Sequence, residues 1–285
     1  MAGLKQIRIR IRTARNIQQI TRAMKLVAAA RLKRATDRVL QARPYSDKLR
    51  EFMGSLANVG DLPRHPLMLK RPVERYCLIL ITAERGLCGS YNSALLRKAV
   101  EFVKSTHGEP KLITVGKKGT QFMTRRGYDI VSSHVIAGSG ATLADATAIT
   151  REAREMFLSD EVDAIYVCYS KFYSPVRQVP QVVQLLPIEA PTETEAASSS
   201  ITLFEPDAAG VLQTLLPRYF LTLIWQALLE STASEHGARM SAMTSATDNA
   251  GKMIQTLTLK ANRERQTAIT TEILEVVSGA EAQKG

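Results

Sequence analysis

Residues 206–282 read PDAAGVLQTLLPRYFLTLIWQALLESTASEHGARMSAMTSATDNAGKMIQTLTLKANRERQTAITTEILEVVSGAEA and contain no cluster of turn residues before Gly279. Pro206 suits the first position of a helix because its missing N–H would have no partner there, and Asp207 suits the helix dipole. A continuous helix over this span would be roughly 110 Å long, several times the usual helix length. Part of it alternates small or apolar residues at spacings of three and four, at Met243, Ala246, Ala250, Met253 and Leu257. Such a narrow seam predicts one partner helix rather than a globular core.

The N-terminal segment offers that partner. Its apolar residues recur at spacings of three and four with one extra three-residue step, at Leu4, Ile7, Ile11, Ala14, Ile17, Ile20, Met24 and Val27. This pattern predicts a coiled-coil stripe with one stammer, which would overwind the supercoil locally. Pro44 is expected to begin a further helical segment that ends near Leu56, and Pro217 to kink or restart the C-terminal helix.

The middle of the chain alternates strand and helix patterns. The predicted strands are Tyr76–Ile81, Lys111–Val115, Tyr128–Ile136, Asp163–Tyr169 and Val179–Leu186. The predicted helices are Asn92–Val103, Gln121–Arg125 and Thr142–Leu158, the last capped near Thr142 or Ser139. This order indicates the α/β class, with a small, mostly parallel sheet covered on both faces. The predicted organisation is an N-terminal helix (1–57), a connection (58–74), the α/β domain (75–190), a flexible acidic loop (191–205) and the C-terminal helix (206–285).

The positive charge of the chain is concentrated at its N-terminus. The net charge is +11; residues 1–57 hold 14 Lys/Arg and 3 Asp/Glu, so the rest of the chain is balanced. A solvated face, a nucleic-acid surface and an acidic protein partner could each explain this excess. Nucleic-acid binding would also use stacking aromatics, and residues 1–57 hold only Tyr45 and Phe52. The pattern therefore favours an acidic protein surface.

The cysteines and the hydropathy indicate the redox compartment and whether a membrane span is predicted. Cys77, Cys88 and Cys168 form no C-x-x-C pair, and their odd number favours reduced, partly buried thiols. The best candidate for a membrane span, Val211–Leu229, contains Gln213, Pro217, Arg218 and Gln226 and is too polar. The Arg-rich start is read as mature structure because its apolar periodicity continues past residue 30.

Few residues suggest a catalytic, metal or nucleotide site within the chain itself. The loop Glu84–Gly89 lies between a strand and a helix, but it matches neither dinucleotide nor Walker spacing, which favours a structural turn. Gly116–Thr120 is similar in form to the G-x-x-G clamp of KH domains, a weak signal for nucleotide or RNA binding. The four histidines His65, His107, His134 and His236 show no metal-ligand spacing. No catalytic residue, metal site or cofactor is therefore predicted. The many small residues of Ser231–Gly251 predict close helix packing and would also suit a smooth surface that slides past partners.

Several long motifs resemble one family. These are MAGLKQIRIRIRTARNIQQITRAMKLVAAARLKR, ITAERGLCGSYN, VPQVVQLLP, ARMSAMTSATDNAGKM and NRERQTAITTEILEVVSGA, in that order. They resemble the γ subunit of F-type ATP synthases in its bacterial form, and the resemblance covers both chain ends and most of the middle. It implies an antiparallel, asymmetric coiled coil of the two terminal helices and a Rossmann-like α/β domain between them.

The resemblance also implies a function and partners. The chain would be the central rotor shaft that couples proton-driven rotation to ATP synthesis, without a nucleotide site of its own. One copy would lie inside a ring of α and β subunits, with the ε subunit and the membrane c-ring at its foot. It would be peripheral on the cytoplasmic face of the bacterial inner membrane, with no nucleic acid and no membrane insertion. The redox insertion of the chloroplast forms is missing, so thiol regulation is not implied.

Partner contacts are carried over by position. Met24 in TRAMKLVAA resembles the methionine near the acidic lever of β, with Lys25 beside it. Arg265 and Gln266 in NRERQTAIT resemble the polar pair that contacts a β loop, and Arg239 lies on the same helix. The basic residues Arg8, Arg15, Arg22, Lys25, Arg31, Lys33 and Arg34 are expected to include those that meet acidic β surface.

Two other functions stay open on the residues alone. A coiled-coil scaffold could bind nucleic acid through its basic helix, which would show as salt-dependent binding of polynucleotide. A nucleotide-dependent enzyme would need specific nucleotide binding by residues 75–190.

Overall fold

The computed structural model describes residues 2–57, 65–138, 140–188 and 208–282. Ser139, Pro206 and the predicted acidic loop 191–205 lie outside these ranges. The chain divides into two compact units: Met1–Val27 with Met240–Gly285, and Ala28–Arg239. Each unit is described by itself below.

The described elements follow the predicted order. They are α1 (Ala2–Ala57), β1 (Arg75–Ile81), α2 (Tyr91–Ser105), β2 (Glu109–Val115), α3 (Lys117–Arg125), β3 (Ile130–His134), α4 (Leu143–Leu158), β4 (Ala164–Ser174), β5 (Arg177–Leu186) and α5 (Ala208–Ala282), with a 3-10 turn at Pro66–Met68. α3 begins four residues before its predicted start. The α4 cap is Thr142, whose hydroxyl accepts from the amide of Asp145 in a capping box.

The sheet of the second unit has the strand order β3-β2-β1-β4-β5. The pairs β1–β2, β1–β4 and β2–β3 are parallel, whereas β4 and β5 form an antiparallel hairpin. The mostly parallel α/β sheet is thus confirmed, with one antiparallel edge strand. Its central strand β1 is buried at every position from Tyr76 to Ile81, as expected for a strand covered on both faces.

Alternate residues of β1 enter two separate cores. Cys77, Ile79 and Ile81 pack in one core with α4, α5 and Met53 of α1. Tyr76, Leu78 and Leu80 pack in the other with α2 and α3. The first part of α5 is therefore a cover of the sheet, with Leu212, Leu216, Phe220 and Ile224 all buried at four-residue spacing.

Both long helices run through a proline without ending. The prediction that Pro44 begins a separate segment was wrong, because α1 continues from Ala2 to Ala57. A restart of α5 at Pro217 was also wrong, because α5 is one helix from Ala208. A proline inside a helix costs about 3 kcal/mol. The buried neighbours Leu216 and Phe220 offset that cost at Pro217.

The first unit is an antiparallel pair formed by the N-terminal part of α1 and the C-terminal part of α5. The Thr247 hydroxyl donates to the Thr21 hydroxyl at 2.9 Å. A Cβ built on Gly251 would lie 3.0 Å from Nε2 of Gln18. Residue numbers therefore rise on one helix as they fall on the other.

The seam of this pair differs from the predicted one. On α1 the buried and half-buried positions are Leu4, Ile7, Ile11, Ala14, Gln18 and Thr21, with regular alternation and no stammer. Ile17, Ile20 and Val27 are exposed. On α5 the seam contains Met243, Thr247, Ala250, Ile254, Leu257 and Ala261, and Met253 is 57% exposed. The prediction missed the register because polar side chains occupy some seam positions.

Candidate functional site

The carboxyl ends of the parallel strands are where an open α/β sheet binds ligands, at the point where strand order reverses. Here that point lies between β1 and β4. The carboxylate of Glu84, three residues after β1, accepts from the amide of Ile136 at 2.9 Å and from that of Lys117 at 3.4 Å. Lys117 is the first residue of α3. A side chain of the protein therefore occupies the N-terminus of α3, which follows β2, the neighbour of β1 on the side away from β4.

The Gly116–Thr120 motif has a structural role. Gly116 has φ +95°, and a Cβ there would lie 2.2 Å from the carbonyl oxygen of Thr82. The amide of Gly119 donates to the Thr82 hydroxyl at 2.8 Å, and a Cβ on Gly119 would meet the same hydroxyl. Both glycines thus let the start of α3 pack against the end of β1, and no ligand is needed to explain them.

Helix α5 crosses the ends of β1 and β4. The Tyr91 hydroxyl donates to the Ser231 carbonyl at 3.2 Å. The Ser234 hydroxyl donates to the carbonyl of Ser170 at 2.9 Å, and the amide of Ser170 donates to the Ser231 hydroxyl. The small side chains of this part of α5 are buried. The prediction of close helix packing is confirmed here, and the crevice of the sheet is filled by the chain itself.

Arg239, one of the predicted partner contacts, is held within the second unit. Its guanidinium pairs with the Glu235 carboxylate at 2.7 Å, and only 11% of the arginine side chain is exposed. It also donates to the carbonyl oxygens of Arg85 and Gly86 at 3.4 and 3.3 Å. These bonds join α5 to the loop after β1, so Arg239 fixes the conformation of that loop.

His236 is a buried base in a positive environment. The pKa of His236 is lowered to about 4, chiefly by burial, and the charges of Arg239, Arg31 and Arg34 contribute to the same shift. Its Nδ1 lies 3.3 Å from Nη1 of Arg239. Because a guanidinium only donates, Nδ1 accepts, and the neutral ring carries its proton on Nε2. Burial raises the pKa of the neighbouring Glu235, although Arg239 opposes that shift.

The other predicted contact residues lie on helix surfaces. Met24 and Lys25 are half-buried on α1, and Lys33 and Arg34 are exposed further along it. Arg265 and Gln266 are exposed on α5. Met24, Lys25, Arg265 and Gln266 belong to the first unit, and Lys33, Arg34 and Arg239 belong to the second.

The first unit also exposes many large apolar side chains. On α1 these include Ile9, Ile17, Ile20, Leu26 and Val27. On α5 they include Met253, Leu259, Ile269, Ile273, Leu274, Val276 and Val277. Apolar surface on this scale marks an interaction surface rather than an ordinary solvated one. The sequence reading missed it because it assigned Ile17, Ile20 and Val27 to the seam.

Other site chemistry is absent from the described residues. They contain no cluster of His, Cys, Asp or Glu that could hold a metal ion, and no helix among them is apolar and long enough to cross a membrane. The three cysteines are unpaired and buried. Burial raises the pKa of Cys77 and Cys168 to about 12. Cys77 and Cys168 are therefore held as neutral thiols.

Sequence reasoning missed the roles of Glu84, Glu235 and His236. The spacing of Glu235 and Arg239, four residues apart on one helix, is typical of an ion pair and could have indicated theirs. No local signal marks Glu84, because its two amide donors come from distant parts of the chain.

These features define a class of protein: an assembly subunit that acts through the surfaces of its helices and whose sheet crevice is closed. A family model described as ATP synthase matches residues 3–283, and the chain belongs to that family. It is 43% identical over 284 residues to the ATP synthase gamma chain of Brevibacillus brevis, covering 99% of each chain. It is 44% identical to the gamma chains of Desulfitobacterium hafniense, over 99% of each chain, and Moorella thermoacetica, over 100% of each.

Solved structures agree on the fold. A chain of the central stalk and c-ring structure of the Tetrahymena thermophila mitochondrial ATP synthase matches with a TM-score of 0.62 and 26% identity. That match covers 80% of this chain and 99% of the other. A chain of the Euglena gracilis mitochondrial enzyme, from a structure of OSCP, F1 and c-ring, matches with a TM-score of 0.72 at 18% identity, over 99% and 95% of the two chains. The nucleic-acid alternative finds no support among these relatives.

Proposed function

We propose that this chain is the central-stalk rotor subunit of an F-type ATP synthase, where it couples proton-driven rotation to ATP synthesis on other subunits. The observation that supports this most strongly is the surface of the first unit. Two long helices bury only a narrow seam between them and leave apolar and basic side chains outward. Such a pair is suited to a surrounding protein envelope, because exposed apolar surface on this scale marks an interaction surface.

The proposed partners follow from membership of the family. One copy of the chain lies inside a ring of α and β subunits, and the ε subunit and membrane c-ring contact the α/β unit. The complex is peripheral on the cytoplasmic face of a bacterial inner membrane. The closed crevice of the sheet supports a structural role for the α/β unit, since Glu84 bonds the first amide of α3 and α5 crosses the ends of β1 and β4.

The mechanism depends on asymmetry between the two paired helices. Residues 1–27 hold seven Lys/Arg and no Asp or Glu, whereas residues 240–285 hold five of each. As the pair turns, a surrounding subunit therefore meets a strongly basic face and then a nearly neutral one. Contacts change affinity at a distant site only if they favour one conformation over another. Moving a site from 1:99 to 99:1 requires about 5.5 kcal/mol of such differential contact.

The predicted contact residues take two kinds of role in this proposal. Met24 and Lys25 on α1, and Arg265 and Gln266 on α5, face the ring directly, as do Lys33 and Arg34. Arg239 acts indirectly, because its guanidinium already bonds Glu235 and the 85–86 carbonyls. We assign it the role of holding the loop after β1 in the shape that a partner meets.

The test is co-expression with α and β subunits, followed by purification and observation of rotation during ATP hydrolysis. We expect a complex that contains one copy of this chain. Arg15→Glu should weaken the coupling between ATP hydrolysis and rotation more at low salt than at high salt, because salt screens the attraction between Arg15 and an acidic partner surface. Arg125→Glu, an equal charge change on an exposed site of α3, serves as the control. A chain that never joins the ring would refute the proposal. Equal effects of the two variants would refute only its electrostatic part.

A further inference from the structure

A cavity of about 400 Å³ lies within the second unit, between α1, α5 and the backbone that precedes α4. Three arginines of α1 line it, Arg31, Arg34 and Arg38, together with His236 and Thr232 of α5. Their spacings of three and four residues place the three arginines on one face of the helix. Neither the closed crevice nor the paired helices of the first unit use this cavity.

The described carboxylates near the three arginines do not balance their charge, because Glu235, on which Arg31 acts electrostatically, already pairs with Arg239. None of the three forms an ion pair with a described carboxylate: Glu235 pairs with Arg239, and Asp145 accepts from the amide and hydroxyl of Thr142. Like charges one turn apart on a helix repel each other. Three guanidiniums gathered at one cavity therefore leave an excess of positive charge that an anion would balance.

The backbone before α4 is shaped around one of these guanidiniums. Nη1 of Arg38 lies 3.5 Å from the Ala141 carbonyl. Gly140 has φ +102°, and a Cβ there would lie 3.3 Å from the same Nη1. Glycine thus permits both the backbone conformation and the close approach of Arg38.

His236 adds a neutral donor to the same wall. It is 7% exposed, and its Nδ1 is engaged by Arg239. The proton therefore lies on Nε2, which has no hydrogen-bond partner among the described residues. An N–H that has no partner among the described residues, on a ring that lines a cavity, is suited to an acceptor oxygen.

We propose that Arg31, Arg34, Arg38 and His236 form a binding site for a phosphate-class anion. Guanidinium forks match the paired oxygens of phosphate, and the neutral imidazole adds one more donor. The cavity exceeds the volume of a single phosphate, so it also accommodates the phosphoryl end of a larger molecule. The inference goes beyond the rotor function, which requires no small-ligand site.

The experiment is calorimetric titration of the purified full-length chain with inorganic phosphate at constant ionic strength. We expect saturable binding that Arg34→Gln with Arg38→Gln weakens by at least about tenfold. The control is Arg12→Gln with Arg43→Gln, which removes the same charge from exposed sites outside the cavity and should change the affinity less than twofold. Equal losses in both double variants would show non-specific attraction and overturn the proposal.

Further titrations identify the ligand, and a charge-conserving variant separates the loss of the site from misfolding. Tighter binding of a nucleoside triphosphate than of inorganic phosphate would assign the phosphoryl group to a larger molecule, and the reverse order would assign the free anion. Binding of glutamate or of an acidic peptide as tight as that of phosphate would show a surface for protein carboxylates and refute the proposal. Arg38→Lys keeps the charge but loses the fork, so it should bind phosphate several-fold more weakly than the wild type. Unchanged phosphate affinity in that variant would contradict a two-oxygen contact of the Arg38 guanidinium.

Because the titration uses the chain without its partners, its outcome is independent of rotor assembly. A chain that binds phosphate but joins no ring would refute only the rotor function. A chain that rotates within the ring but binds no phosphate would refute only the anion site.

Discussion

The two units of this chain use the same two helices in opposite ways. In the second unit, α5 presents buried side chains such as Phe220 and Ile224 to a sheet, and the core encloses them completely. In the first unit, the same helix buries only Met243, Ala250 and Ala261 among its described residues, and Val276 is 72% exposed. The sheet unit is stabilised by its own core, whereas the paired helices expose the apolar surface that other subunits would cover.

The largest difference is expected for truncation of an apolar side chain in each unit. Phe220→Ala should lower the free energy of unfolding by about 3–5 kcal/mol, because it leaves a cavity in a closed core. Ile269→Ala, on the exposed part of α5, should change it by less than about 0.5 kcal/mol but weaken assembly with partner subunits. Urea unfolding followed by the fluorescence of Trp225, the single tryptophan, measures the first effect, and co-purification with α and β measures the second. A similar cost for both variants in the isolated chain would contradict the contrast between the units.

Acid should act on the second unit through His236. Its pKa in the folded chain is about 4, below its ordinary value of 6.5, so between these pH values the unfolded chain binds a proton that the folded chain excludes. Stability is therefore lost as the pH falls from 6.5 to 4, by up to about 3 kcal/mol. His236→Gln should flatten this part of the pH profile of unfolding.

His107→Gln, at an exposed site on the loop after α2, is the matched control. It should leave the dependence of the free energy of unfolding on pH unchanged. The raised pKa of Glu235 acts in the opposite direction, but it is present in both proteins and cancels from the difference. A wild-type profile that is flat between pH 6.5 and 4 would show that His236 takes up its proton in the folded state.

The smallest effect concerns the polar layer in the seam of the first unit. Thr247→Val should cost about 0.5–1 kcal/mol, because it removes the hydroxyl that bonds Thr21. Thr21→Val with Thr247→Val should recover most of that cost, because both partners become apolar together. A double-mutant cycle in thermal unfolding measures the coupling. Additive losses would indicate that the two hydroxyls do not interact.

Much of the fold follows from local patterns. The continuous apolar run Tyr76–Ile81 predicts a buried strand, and Arg75–Ile81 is the central strand of the sheet. The long apolar periodicities predicted both terminal helices. The phase of their seam was wrong because Gln18, Thr21 and Thr247 take positions where a hydrophobic pattern expects apolar residues, and each is buried or half-buried by the facing helix.

The site was less accessible to prediction. Arg239 was named as a partner contact by resemblance, yet its bonds to Glu235 and to the 85–86 carbonyls depend on the way α5 crosses the sheet. The grouping of Arg31, Arg34 and Arg38 on one helix face follows from their spacing. Their proximity to His236, about two hundred residues away in the sequence, does not follow from any local spacing.

The sequence alone determined the order of the elements, the family motifs and the concentration of positive charge in residues 1–57, because each depends on residues that are close together in the chain. Only the tertiary structure decided which side of each helix is buried, that Glu84 bonds the start of α3 while α5 crosses the ends of β1 and β4, and that a basic cavity forms beside Gly140. These features depend on residues that are distant in the sequence, and burial is a property of the side chains that surround a residue rather than of the residue itself.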